Sequence, residues 1–295
     1  MHTKRLIKLI VSPGPLAFAL FGFMVGLLWL SLTTLASSLP NAPRAVTEPA
    51  NGGRVNLEGA IDSVRRFTGQ PGLVLEGGLQ TGDQGARGAG LYYLETMSPI
   101  RGENFFKVDA ATGEVVEATL RDRLAPAQSS AELPFAEAER RAERFARTHF
   151  WGFDQLQIVD RSTRTGESGP IHSFKWTQIA AGSGAELPIS VSVAISGRSG
   201  QVFWYLSQRD PLKIDATPAV GREQAVTIAN TWLRPRDTRW ALDEPTSVRL
   251  QVLYDDDDQQ QLVWSVTYRA LQDGPRSSIR LLIDGQTGQI LQGAS

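Results

Sequence analysis

Apolar residues recur at helical spacing in three places along the chain. Ala60-Val64-Phe67, Ala138-Ala142-Phe145 and Ala225-Ala229-Trp232 each fall at i, i+4, i+7, which is one face of a helix. The stretch "FAEAERRAERFARTHF" is the clearest, because Glu and Arg fill its opposite, solvated face. Elsewhere the rhythm shifts to alternation. "LYYLETM", "NFFKV", "EVVEATL", "HSFKWTQI" and "QLVWSVTY" predict strands.

One short pattern punctuates these strands three times. "VDAATGEVV" starts at Val108, "ISGRSGQVF" at Ile195 and "IDGQTGQIL" at Ile283. Asp109, Ser196 and Asp284 align at separations of 87 and 88 residues, as do Thr112, Ser199 and Thr287, and Gly113, Gly200 and Gly288. A short polar side chain at a turn start accepts bonds from backbone N–H groups just ahead of it. The glycine supplies the positive φ at which a type I turn closes into a bulged hairpin. These nine residues therefore read as a structural turn motif, with no chemistry of their own. A phosphate loop or nucleophile elbow needs a helix after the glycine, and here a strand follows. Trp176 and Trp264 each stand 20 residues before the aligned turn residue.

A lone amphipathic helix cannot bury its stripe, and a lone sheet cannot bury its inner face. The expected fold class is accordingly α+β, with three tandem units at residues 57–120, 134–208 and 218–294, each a helix packed on an antiparallel β-sheet. "APAQSSAELP" and "QRDPLKIDATP" mark the junctions. Units this small are marginal alone and should pack on one another.

The residues Val108-Asp109-Thr112-Gly113-Val115 and Ile283-Asp284-Thr287-Gly288-Ile290 resemble the PepSY domain, with Ile195-Ser196-Ser199-Gly200-Val202 as a drifted copy. PepSY domains occur in propeptides of thermolysin-like metallopeptidases and in spore germination proteins of the YpeB type. The resemblance implies a helix across one face of an antiparallel sheet and no catalytic activity. It also implies a role in peptidase inhibition, chaperoning or extracytoplasmic protein binding. No H-E-x-x-H occurs in the chain, so it is no propeptide fused to its own enzyme.

The N-terminus adds a location. No charge occurs between Lys8 and Arg44, and residues 15–36, "PLAFALFGFMVGLLWLSLTTLA", form a 22-residue apolar run. As a helix it spans roughly 33 Å, enough to cross a bilayer core. Lys4, Arg5 and Lys8 precede it, so residues 1–14 are expected in the cytoplasm. The rival is a cleaved signal peptide ending near Thr34-Leu35-Ala36, although the run is longer than a signal h-region. Either reading puts the remainder outside the cytoplasm, behind a flexible tether at 37–56 rich in Ser, Pro, Gly and Asn. Removing residues 1–43 takes three of the 30 basic residues and none of the 31 acidic ones, leaving −4. An acidic ectodomain argues against nucleic acid as a partner.

Candidate chemistry is sparse. With no cysteine there is no disulfide, thiol nucleophile or thiolate metal site. His2, His149 and His172 share no metal-ligand spacing, and no G-x-S-x-G appears. The run Asp255, Asp256, Asp257, Asp258 is the one metal candidate, since Ca²⁺ takes six to eight oxygens. It lies between two strand patterns, lacks EF-hand spacing, and reads first as a solvated hairpin tip. No cofactor is expected. Trp151, Trp204 and Trp240 have no counterpart in the other units and are candidate anchors for a partner. The expected function is a non-catalytic, membrane-anchored module that binds and modulates an envelope protein such as a peptidase or sensor kinase. The alternatives are an envelope hydrolase using an unrecognised carboxylate pair, and a structural scaffold.

Overall fold

A computed structural model of the chain describes residues 54–80, 90–96, 104–120, 132–166, 169–234, 244–269 and 278–293. The expected span at 15–36, the tether up to residue 53 and Trp240 lie outside the described residues. No helix among those described is long and apolar enough to cross a membrane.

Three α-helices occur among the described residues: α1 (Leu57–Thr68), α2 (Phe135–His149) and α3 (Arg222–Leu233). Each buries small residues one turn apart, which lets the helix axis lie close to the strands beneath. Ala60 and Val64 serve in α1, Ala138, Ala142 and Ala146 in α2, and Ala225 and Ala229 in α3; all seven are fully buried. Helix α1 starts at Asn56, whose Oδ1 accepts from Gly59 N at 2.8 Å, and stops at Gly69, which turns left-handed at φ 65°.

Twelve strands join into one sheet: β1 (Leu75–Gln80), β2 (Leu91–Thr96), β3 (Phe105–Asp109), β4 (Val115–Thr119), β5 (Gln157–Gly166), β6 (Gly169–Ile179), β7 (Glu186–Ser196), β8 (Val202–Arg209), β9 (Ser247–Tyr254), β10 (Gln260–Arg269), β11 (Ser278–Asp284) and β12 (Ile290–Gly293). The order is β1-β2-β3-β4-β8-β7-β9-β10-β11-β12, with β6 on the other edge of β7 and β5 beyond it. All pairings are antiparallel except β7 with β9.

This architecture overturns the expectation of three tandem units, each a helix packed on its own sheet. The sheet is continuous, and the described helices decorate it. The reason is edge pairing. Strand β4 would have ended a first small sheet with a row of open N–H and C=O groups, and β8 fills that row through Glu117–Thr119 opposite Trp204–Leu206. Strand β7 keeps β8 along Ile189–Ile195, and at Glu186 its edge passes to β9 through the single pair Glu186 and Gln251.

The cores follow the sheet and number two. Helices α1 and α2 share the first with β1–β4 and β6–β8, around Phe106, Phe174, Tyr205 and Ile195. Phe67 of α1 bridges the helices, with its ring 5.5 Å from Phe145 and 5.2 Å from Tyr205. Helix α3 covers the second with β9–β11, around Leu233, Trp264, Tyr268 and Leu281. Two bonds tie α3 and the chain before it to the sheet: Trp264 Nε1 to Val220 O at 2.8 Å, and Tyr268 OH to Asn230 Oδ1 at 2.7 Å. Strand β7 feeds both cores from one side, Leu187 into the second and Val191, Val193 and Ile195 into the first. All three helices therefore lie on the same face of the sheet, and the other face carries none of them.

Candidate binding surface

Strand register fixes what the helix-free face presents. One row runs Glu76, Glu95, Phe105, Thr119, Trp204, Ala194 across six adjacent strands. The next runs Gly78, Tyr93, Lys107, Glu117, Leu206, Ser192. Residues directly opposite on neighbouring strands have Cβ positions about 5 Å apart, so each row is a strip of close neighbours.

At the β1 end these rows form a shallow groove of about 360 Å³ lined by Gly77, Gly78, Leu79, Gln80, Tyr93, Glu95 and Phe105. The rings of Tyr93 and Phe105 lie 5.8 Å apart, and Lys107 Nζ stands 5.5 Å and 5.9 Å from their centroids. Lys107 also pairs with Glu117 at 2.7 Å, so its charge is matched. The groove is open because β1 supplies two glycines. A Cβ at Gly77, whose φ is 150°, would stand 1.8 Å from Tyr93 O, so that site excludes a side chain. A Cβ at Gly78 would meet nothing within 4 Å. Glu76 and Glu95 flank the groove as exposed, directly paired residues, and no described cation lies within ion-pair range of either carboxylate.

Strand β1 also presents an edge. Among the described residues it pairs with β2 alone, and Val74 just before it and Leu79 within it are 64% and 38% exposed.

A second aromatic patch lies beyond the C-terminus of α2. The Arg209 guanidinium stacks 4.5 Å from the Phe150 centroid and 5.2 Å from Trp151, and donates to Trp151 O at 2.8 Å. Trp151 remains 46% exposed. Trp176 and Trp264 are buried, whereas Trp204 is half-buried on the helix-free face and Trp232 half-buried on α3.

The nine turn residues occupy three hairpins with a common set of bonds. Asp109 Oδ1 accepts from Ala111 N and Thr112 N, both at 2.8 Å, and from Thr112 Oγ1 at 3.2 Å. Asp284 Oδ1 accepts from Gln286 N at 2.8 Å and Thr287 N at 2.7 Å. Ser196 Oγ accepts from Ser199 N at 3.2 Å. Gly113, Gly200 and Gly288 sit at φ 73°, 72° and 75°. Each turn is also tied to the chain just before a helix, through Val55 N to Ala110 O, Leu133 N to Gly197 O and Val220 N to Gly285 O, at 2.9, 2.6 and 2.9 Å. That tie is invisible in the sequence, since donor and acceptor lie 55 to 65 positions apart.

The Asp255–Asp258 run forms the tip between β9 and β10. Asp255 Oδ1 accepts from Asp257 N at 2.9 Å and Gln259 N at 2.8 Å, while Asp256 and Asp257 are exposed. No group of three or more His, Cys, Asp or Glu side chains among the described residues is arranged to hold a metal ion. His149 lies between the rings of Phe67 and Phe145, at 4.4 and 4.3 Å, where burial pushes its pKa down to about 4. His172 is buried beneath Phe135, with Nδ1 bonded to Thr163 Oγ1 at 2.9 Å. Lys175, on the helix-free face, is held below the ordinary lysine value by burial, with Glu186 acting in the opposite sense.

The class these features define is a largely antiparallel β-sheet protein whose described helices all lie on one face. No family model and no curated protein matches the sequence. Among solved structures the chain is similar to the C-terminal domain of Bacillus megaterium YpeB, at 16% identity and a TM-score of 0.49 over 82% of this chain and 98% of that one. It is also similar to a candidate lipoprotein of Clostridium difficile, at 13% identity and a TM-score of 0.22 over 57% of this chain and 97% of that one. Neither likeness bears on what the chain does.

Proposed function

We propose that the chain is a non-catalytic binding module of the cell envelope, anchored through residues 15–36 with its sheet outside the cytoplasm. It modulates another envelope protein, such as a peptidase or a sensor kinase. The observation that supports this reading most is the groove on the helix-free face, where Tyr93 and Phe105 are half-buried and partly open to solvent near a strand edge. Buried aromatic anchors dominate protein interfaces, and a half-buried aromatic pair ringed by polar residues has the make-up of such a contact. The likeness of the three turn segments to PepSY adds to it.

The test is a photo-crosslinking amino acid placed at Tyr93, or at Phe105, in intact cells, with Arg140 on the outer face of α2 as control. The expected result is one discrete adduct from the groove positions, identified by mass spectrometry as an envelope protein. Adducts equal in number and kind from all three positions would sink the reading. Residency is tested by fractionation: deletion of residues 15–36 should release the chain from the membrane.

A second reading has one observation in its favour. Glu76 and Glu95 stand directly opposite each other, and a carboxylate pair is what glycoside hydrolysis uses. Both are exposed, however, and a general acid is usually kept protonated by burial. Hydrolysis of envelope glycan or peptide by the purified protein, lost in Glu76→Gln and in Glu95→Gln, would replace the binding reading with this one.

A further inference from the structure

Three features meet at β1: an edge paired on one side only among the described residues, a glycine facing the groove, and the carboxylates of Glu76 and its β2 neighbour Glu95, with no described cation in ion-pair range. A sheet edge displays a row of N–H and C=O groups, and an extended peptide can add to it as another strand. Side chains opposite one another on neighbouring strands share a face, so the register of β1 dictates what an added strand presents to the groove.

The residue opposite Glu76 comes to lie on the face occupied by both Glu76 and Glu95. Two like charges directly opposite across a strand pair are destabilising, and a Lys or Arg added beside them matches the excess. The residue two positions along lies opposite Gly78, on the face of Tyr93. Strands are spaced roughly 4.8 Å apart, so Tyr93 is about 10 Å from the added backbone. Only the bare Gly78 intervenes, and a large apolar side chain can lie across it onto the Tyr93 and Phe105 rings. Leu79 and Val74, already exposed, would be covered from the side.

We infer that β1 is a strand-addition site for an extended segment of a partner protein carrying a basic residue and, two positions away, a large apolar residue. This rests on the binding reading above and gives it a mode and a partner chemistry. Charge disfavours a second copy as the occupant, because two β1 strands side by side would add Glu76 of one copy to the unmatched pair of the other.

The experiment uses the full-length protein and three fluorescent seven-residue peptides. The first alternates Lys and Phe on one face with Thr on the other. The second replaces Lys with Glu. The third has the composition of the first, reordered so that Lys and Phe face opposite sides. Fluorescence anisotropy should show the first binding at least tenfold tighter than either control. Glu76→Lys with Glu95→Lys should reverse the preference between the first two. Gly78→Val should weaken the first at least tenfold with no loss of folding, since its Cβ meets nothing and φ is not positive. Hydrogen exchange at the Leu75–Gln80 amides should slow on binding, which contact through side chains alone would not cause. Binding with unchanged exchange in β1, or unaffected by charge reversal, would overturn strand addition while leaving the binding reading to the crosslinking test. So would no binding of any peptide, or a dimer in solution that Gly78→Val dissociates.

Discussion

The carboxylate of Glu186 accepts from Arg249 Nε across the seam between β7 and β9, and from Gln251 Nε2 at 3.2 Å. It does so where the backbone offers one residue pair, Glu186 with Gln251. Glu186 is 7% exposed, and Arg249 Nη2 is buried with no hydrogen-bond partner. Side chains thus reinforce a junction that the ladder barely makes.

Removing the acid should therefore be felt at the seam. Glu186→Ala strands the Arg249 guanidinium partly buried, at an expected cost of about 2–3 kcal/mol, and Glu186→Gln costs less. Urea denaturation followed by tryptophan fluorescence should split into two transitions in Glu186→Ala as the two cores lose their coupling. One transition with an unshifted midpoint would count against the seam.

Acid should weaken the first core through His149. Its folded pKa, about 4, lies below the unfolded value of 6.5, so between them the unfolded chain binds more protons. The resulting stability is complete above pH 6.5 and is lost as pH falls toward 4, about 3 kcal/mol in all. In His149→Phe the slope of unfolding free energy over that window should flatten. An unchanged slope would show that the proton goes elsewhere.

The three turns should rank by how many bonds their first residue makes. Asp284→Ala removes two backbone bonds to a carboxylate and should cost about 1–2 kcal/mol, whereas Ser196→Ala removes one 3.2 Å hydroxyl contact and should cost about 0.5 kcal/mol. Gly113→Ala puts a side chain at φ 73° and should cost roughly 1–2 kcal/mol. Thermal denaturation checks the order, and peptide binding at β1 should be unaffected in all three.

At the Asp255–Asp258 tip, Asp255 is engaged by backbone N–H groups and Asp256 and Asp257 face solvent. Asp255→Ala should lower Tm, while Asp256→Asn with Asp257→Asn should leave it within about 1 °C. Millimolar Ca²⁺ should not raise Tm. A rise that saturates with concentration would reveal a bound ion.

The helix faces were open to sequence reasoning because Ala138 and Ala142, or Ala225 and Ala229, are four residues apart and speak through local spacing. What joined the parts was not. Glu117 meets Leu206 and Glu186 meets Gln251 across 89 and 65 positions, and no periodicity announces such pairs. Reading each helix with its own sheet consequently broke one sheet into three. The groove was hidden for the same reason. "LYYLETM" and "NFFKV" read as strands, but which side Tyr93 and Phe105 face is set by register with β1 and β4. Glu76 becomes the neighbour of Glu95 only once β1 and β2 are paired.

The strand order has a mechanical consequence. The described chain enters ahead of α1, where Val55 N donates to Ala110 O just after β3, and leaves through β12, at one end of the order. Tension applied between those ends acts across the strands, so it peels backbone bonds in succession instead of shearing many together. If residues 15–36 hold the N-terminal side and a bound protein pulls on the C-terminal side, β12 yields first, then β11. On the N-terminal side the load falls on α1, whose Phe67 is packed against Phe145 and Tyr205.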